Sequence, residues 1–143
     1  MNTEYETIDR AIEFIELGFC KNASARSVND KSPVNFTSEL AVEFCVTGAI
    51  NRAALELFCP DDWWVVNDNY KVALGAASNT IRSLQRFLQI KFGYKDTLVQ
   101  WNDAPLTNQF KVLELLREYR KFIDDREDIY HEDVMLEKEL VGV

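Results

Sequence analysis

The side chains best suited to covalent chemistry in this chain are three cysteines, Cys20, Cys45 and Cys59. A catalytic cysteine needs a base that forms the thiolate, and usually a third group that orients the base. The sequence has one histidine, His131, in a strongly charged C-terminal segment. We therefore interpret Cys45 as a small apolar residue that packs in the core. A cysteine-dependent enzyme is the alternative.

A second group of candidates surrounds residues 101–105, Trp-Asn-Asp-Ala-Pro, here named the WNDAP segment. The amide of Asn102 can bond the loose backbone groups of the turn. Arg26 and Arg52 can pair with Asp103 in a structural clasp, or their guanidinium groups can bind a phosphate or carboxylate. We favour the clasp. The candidate binding residues of this group are Arg26, Arg52, Trp101, Asn102 and Asp103.

A third candidate is a basic stretch between Asn69 and Lys95, which contains no acid. Its five bases are Lys71, Arg82, Arg86, Lys91 and Lys95. Arg82 and Arg86 lie one helical turn apart and project together. Such a pattern is typical of a solvated helix face, and it also fits a platform for an acidic protein or a small anionic ligand. Duplex DNA is disfavoured because the chain carries a net charge of −8.

The distribution of charge divides the chain in two. Residues 124–139 contain eight acids against two bases and so carry −6 of the net charge. We expect a helical domain over residues 1–123 and an acidic C-terminal tail or short helix over residues 124–143. The single histidine and the odd number of cysteines supply no ligand cluster, so we expect no metal and no cofactor.

Helices are the elements that must position these candidates. Apolar residues recur at helical spacing over residues 4–17 and 70–92, and Gly93 ends the second of these stretches. Another helix is expected to start at Thr37 or Ser38 and to end before Pro60.

Further along the chain, residues 97–100 fit a short strand, and Thr107 is expected to cap a last helix that buries Phe110. The sequence has 143 residues and is 47% apolar, which fits one domain. It therefore predicts a mostly α fold: a single compact domain of four to five helices, with at most a small β-hairpin near residues 20–36.

Two segments resemble the motifs of a protein family. Residues 41–53 are similar to the pattern A-V-x-W-C-x-x-G-A-x-x-R-A, although Phe44 replaces the tryptophan. The WNDAP segment resembles its companion motif W-N-D-x-P, and Ala25-Arg26 also matches. These motifs are similar to those of small uncharacterised proteins from bacteriophages and bacteria, which have no assigned activity. The resemblance covers about residues 7–120 and implies a shared fold and a phage-like context.

These observations predict a non-catalytic binding protein, specifically a phage accessory or anti-defence factor that engages a host protein or a small phosphorylated ligand. The alternative is a small cysteine-dependent enzyme that uses Cys45 near the Trp101–Asp103 turn. A homodimer is a further expectation, since the small-residue face around Gly48 or the acidic tail can pack across a two-fold axis. We expect the protein in the cytoplasm, that of the host if a phage encodes it, and not in a membrane.

Overall fold

The computed structural model describes the backbone of residues 3–140 and the side chains of residues 3–126. Within that part of the chain, the elements in order are α1 (Thr3–Leu17), β1 (Ala25–Ser27), β2 (Pro33–Val34), β3 (Ala41–Phe44), α2 (Val46–Phe58), α3 (Asp68–Phe92), α4 (Leu98–Asp103) and α5 (Gln109–Leu140). The predicted fold class is confirmed: five helices and one small antiparallel sheet form a single domain.

The core lies around α1, which packs against both α2 and α5. Its residues Ile8, Ala11, Ile12 and Ile15 recur three and four positions apart and are all buried. The helix predicted over residues 4–17 is therefore confirmed. No helix in the described range is long and apolar enough to span a bilayer.

The small sheet has the strand order β2-β1-β3. The hairpin predicted near residues 20–36 is present as β1 and β2, which pair Ala25 with Val34. Pro33 lies on the edge strand β2. Proline has no N–H to donate, and this position of the sheet needs none. The third strand pairs Phe44 with Ala25 on the other side of β1, and so places the start of α2 beside the loop over residues 19–24.

The start predicted for the second helix was wrong. Residues 41–44 form β3 because their backbone bonds with β1, and Phe44 N–H also donates to Gly18 O at 3.0 Å. The helix begins at Val46, and Cys45 is its N-cap, whose Sγ accepts from Gly48 N–H at 3.2 Å. Cys45 is therefore buried, but at a helix start and not on the helix face.

The third helix agrees with its prediction. Asn67 caps α3, since its Oδ1 accepts from Tyr70 N–H at 2.9 Å. Gly93 ends it at φ +71°, a left-handed conformation that glycine adopts without steric cost. This helix holds Arg82 and Arg86 on one continuous scaffold.

The strand predicted over residues 97–100 was wrong, because these residues start α4. Thr97 Oγ1 accepts from Gln100 N–H at 3.2 Å, and Gln100 Oε1 accepts from Thr97 N–H at 2.9 Å. This reciprocal pair is a capping box, which satisfies two amides that a helix start leaves unbonded. The residues Trp101–Asp103 thus form the last turn of a helix.

The cap predicted for the last helix was also wrong. Asn108, and not Thr107, provides it, because Asn108 Oδ1 accepts from Lys111 N–H at 2.9 Å. Phe110 is 75% exposed and does not face the core. The side chains of α5 that are buried in the described part are Val112, Leu115, Leu116, Tyr119 and Ile123.

Candidate functional site

Asn102 joins the two sequence motifs. Its side chain is 1% exposed, and its Oδ1 accepts from Val46 N–H, the first amide of α2, at 2.8 Å. Its Nδ2 donates to Cys20 O at 3.2 Å and to Asp103 Oδ1 at 3.0 Å. One buried amide therefore fastens α4 to the start of α2 and to the loop that follows α1.

Asp103 fastens the same loop from its surface side. Its Oδ1 accepts from Asn22 N–H at 2.9 Å, while the neighbouring Ala104 O accepts from Lys21 Nζ at 2.5 Å. Asn22 has φ +63°, a conformation that asparagine tolerates better than most residues. Among the described side chains, Asp103 forms no ion pair with Arg26 or Arg52.

Arg26 bonds backbone carbonyls. It lies on β1, and its Nη1 and Nη2 donate to Lys31 O at 3.0 Å and to Lys21 O at 2.9 Å. The guanidinium therefore connects the turn between β1 and β2 to the loop before β1. These bonds occupy two of the donors that would bind an anion.

Arg52, like Arg26, donates to backbone carbonyls, but it does so at a different place in the fold. Its Nη1 donates to Phe36 O at 2.9 Å and to Ser38 O at 3.1 Å, and its Nε bonds Glu56 at 3.1 Å. The guanidinium lies 4.9 Å from the centre of the Trp63 ring, and the side chain is 11% exposed. The structure thus does not bring Arg26, Arg52 and Asp103 together as one anion site.

A small polar cleft lies where the two motifs meet. It has a volume of about 410 Å³ and is lined by Asn22, Ala23, Ser24, Cys45, Thr47, Val99, Asn102 and Asp103. Cys45 Sγ lies 3.2 Å from Thr47 Oγ1. Among the described residues of this lining, Asp103 is the one carboxylic acid, and none is a histidine or a lysine. His131 lies outside the described side chains.

The other two thiols, Cys20 beside this cleft and Cys59 at the opposite end of α2, are buried and protonated at neutral pH. Burial raises the pKa of Cys20 to about 12, and it raises the pKa of Cys59 as well. Cys20 Sγ donates to Ala23 O at 3.5 Å. Neither thiol has the low pKa and the exposure that mark a reactive cysteine.

A larger cavity, here named the α3–α5 groove, opens between those two helices. It has a volume of about 700 Å³. Its floor is aromatic: the ring of Phe87 lies 5.3 Å from that of Tyr119 and 5.2 Å from that of Phe122. Tyr119 is buried and bonds the Glu4 carboxylate, whereas Phe122 and Ile90 are 43% and 76% exposed. The groove therefore presents apolar surface to water.

Cations line both walls of the α3–α5 groove. Arg86 and Lys91 come from α3, and Lys121 and Arg126 come from α5, against the two acids Glu118 and Asp125. Arg126 Nη2 forms an ion pair with Glu4 Oε2 at 3.6 Å. Arg86, Lys91 and Lys121 make no ion pair or hydrogen bond with any described side chain. Arg82 is exposed on α3, one turn before Arg86 and outside the groove lining.

Comparison with known sequences places the chain in a family. The model of a family of unknown function, DUF6197, matches residues 1–121. The chain belongs to this family. No curated protein and no solved structure matches it.

The DUF6197 match contains the whole polar cleft but ends inside the α3–α5 groove, before Phe122 and Arg126. Analysis of the sequence found Arg86 but missed Lys121 and the aromatic floor. The missing information was the packing of α5 against α3, which sets the side chains that share a wall. The sequence shows that Lys121, Phe122 and Asp125 lie close together on one helix. Their spacing does not indicate that this helix packs against α3.

Proposed function

We propose that this DUF6197 protein is a non-catalytic binding protein that holds an acidic segment of a partner protein in the α3–α5 groove. In the phage-like context implied by its motifs, the partner is a host protein and the chain is an accessory or anti-defence factor. The observation that carries the proposal is a groove that exposes Phe122 and Ile90 to water between walls that carry Arg86, Lys91 and Lys121. These three cations have no partner among the described side chains.

Burial of the groove floor supplies the driving force. Phe122 and Ile90 leave apolar surface in water, and covering such surface contributes about 25 cal/mol per Å². Cavities of about 300–1,000 Å³ are typical of ligand sites, and this groove lies in that range. An open groove between two helices suits a peptide segment with one or two large apolar side chains.

The charges of the groove walls determine which net charge a partner segment must carry. Four cations oppose two acids in the lining, so an acidic segment is attracted and a basic one is repelled. A small phosphorylated ligand receives less support, since Arg26 and Arg52 donate to backbone carbonyls. The acidic protein segment is therefore the ligand class that we propose.

A labelled acidic peptide tests the proposal. The probe is a synthetic 12-residue peptide of glutamates with two phenylalanines, and fluorescence anisotropy measures its binding. We expect the double variant Arg86→Glu/Lys121→Glu, with one change on each wall, to weaken binding at least about tenfold. The matched control Lys71→Glu/Lys111→Glu makes the same charge change at exposed sites outside the groove lining, and should bind nearly as wild type.

Two results would contradict the proposal. One is equal weakening by both double variants, which would mean that only net charge matters. The other is a fluorescent nucleoside triphosphate that binds more tightly than the peptide and is lost in Arg86→Glu/Lys121→Glu. Arg82→Glu is expected to have a smaller effect, because Arg82 lies outside the lining.

A second candidate function, a cysteine-dependent enzyme, is favoured by one observation. The family-like motifs around Cys45 and Asn102 meet at the same polar cleft. Cys45→Ser tests it cleanly, since serine keeps the N-cap of α2 while the thiol is lost. Cys45→Ala removes both, at a cost of about 1 kcal/mol in stability. Biological activity that survives Cys45→Ser argues for the binding protein, and activity that disappears in a stable Cys45→Ser variant argues for the enzyme.

A further inference from the structure

We infer that two copies of this chain bind each other reciprocally, with residues 127–140 of each copy lying in the α3–α5 groove of the other. The inference uses the groove of the proposed function but names a different occupant, a second copy. Three observations carry it: the path of α5, the charges of the two surfaces, and the pattern of apolar residues beyond Arg126.

The path of α5 points its C-terminal part away from its own groove. The helix lines the groove with residues 118–126 and continues to Leu140. At a rise of about 1.5 Å per residue, the continuation adds about 21 Å in the same direction. A continuous helix cannot fold back onto a wall that it forms itself. The acidic continuation can therefore fill the groove only of another molecule.

The charges of the two surfaces are complementary. Residues 127–139 contain six acids and one base, Lys138. The groove lining has four cations and two acids, and its cations Arg86, Lys91 and Lys121 have no partner among the described side chains. Opposite charges on two surfaces steer association and set the register of the contact.

The sequence beyond Arg126 also offers apolar residues for the aromatic floor. Ile129, Leu136 and Leu140 recur at spacings of seven and four residues, a helical pattern. Because each copy has one groove and one acidic segment, a two-fold axis satisfies both pairs and closes the assembly. In such a dimer, the acidic segment of one copy competes with the acidic partner of the proposed function.

Light scattering on the full chain tests the dimer. We expect wild type at low salt to have twice the chain mass of 16.6 kDa. Arg86→Glu/Lys121→Glu should weaken self-association at least about tenfold and be monomeric at the same concentration. The control Lys71→Glu/Lys111→Glu should stay dimeric.

A charge-exchange experiment identifies the two surfaces. The variant Glu132→Lys/Asp133→Lys/Glu137→Lys reverses the acidic segment and should be monomeric alone. Mixed with Arg86→Glu/Lys121→Glu, it should form a heterodimer, because each groove then meets a segment of opposite charge. A wild type that is monomeric up to roughly 100 µM, a dimer indifferent to Arg86→Glu/Lys121→Glu, or a mixture that stays monomeric would each overturn the inference.

The acidic peptide probe separates this inference from the proposed function. A monomeric wild type that binds the probe overturns the dimer alone. Formation of the heterodimer by the two charge variants supports the reciprocal dimer. This holds even when the peptide probe fails to bind the monomeric variant Glu132→Lys/Asp133→Lys/Glu137→Lys. That failure overturns the proposed function alone, because the groove of this variant is basic and uncovered.

Discussion

Replacing Asn102 by alanine should destabilise the fold far more than the same change at an exposed helix cap. The side chain is 1% exposed and makes three hydrogen bonds. Asn102→Ala leaves the Val46 amide and the Cys20 carbonyl without partners in a buried environment. Each unsatisfied buried group costs about 1–3 kcal/mol. Water can reach one of them from the polar cleft, so we expect a total loss of about 3 kcal/mol.

The matched control is Asn108→Ala. Asn108 also accepts one backbone amide at a helix start, that of Lys111 at 2.9 Å, but it is exposed. Water replaces the lost acceptor there, so this change should cost about 1 kcal/mol. The two variants remove the same atoms and differ only in burial and in the number of bonds.

Urea denaturation followed by circular dichroism at 222 nm measures both variants. At about 3 °C per kcal/mol, Asn102→Ala should also melt about 9 °C below wild type. Hydrogen exchange should speed up at the Val46 amide in Asn102→Ala and stay unchanged there in Asn108→Ala. Equal losses of stability in the two variants would refute the role that we assign to Asn102.

Three further predictions concern other contacts. Gly48→Ala should cost about 3 kcal/mol in urea denaturation, since its Cβ would lie 2.1 Å from Ser24 O; Gly75→Ala, where the space is open, should gain about 0.5–1 kcal/mol. Arg52→Lys should lose about 1–2 kcal/mol because lysine cannot reproduce the guanidinium bonds, and unchanged thermal stability would contradict this. Burial raises the Cys20 pKa from 9.0 to about 12, so the stability that the protonated thiol contributes is complete below pH 9 and is lost as pH rises to 12. Between pH 9 and 12, the free energy of unfolding should therefore fall less steeply in Cys20→Ala than in wild type, by up to about 1.4 kcal/mol per pH unit. Equal slopes of unfolding free energy against pH in the two proteins would contradict the burial.

The helical elements were predictable where local signals and burial agree. The 3.6-residue period over α1 and α3 determines which face enters the core, and Gly93 marks the end of α3 with the one residue type suited to φ +71°. These signals depend on neighbours within one or two turns. They therefore survive without knowledge of the tertiary fold.

The errors arose where distant contacts decide the local structure. Residues 41–44 have residue types that helices also use, and only the pairing with β1 makes them a strand. Cys45 was not recognised as a cap because a thiol is a weak acceptor. The start of α4 is different, because its capping box, Thr97 with Gln100, is a local signal that the sequence itself contains.

The candidate site was predictable only in its parts. Asn102 was expected to bond backbone groups of its own turn, and it bonds those of the distant residues 20 and 46. Asp103 was expected to pair with an arginine, whereas its partner is the backbone amide of residue 22. Arg86 was identified by its charge and by its spacing of one helical turn from Arg82. Its neighbours across the groove, Lys121 and Phe122, depend on how α5 rotates about its axis when it packs.

The long sequence separation of the Asn102 bonds affects how a nascent chain matures on the ribosome. Asn102 follows Val46 by 56 residues and Cys20 by 82 residues. At a translation rate of about 5–20 residues per second, the first amide of α2 waits roughly 3–11 s for its acceptor. The partner of α1 in α5 is synthesised later still. The emerging N-terminal half therefore stays unfinished until α4 and α5 have been synthesised, and chaperones that shield apolar segments have several seconds in which to act.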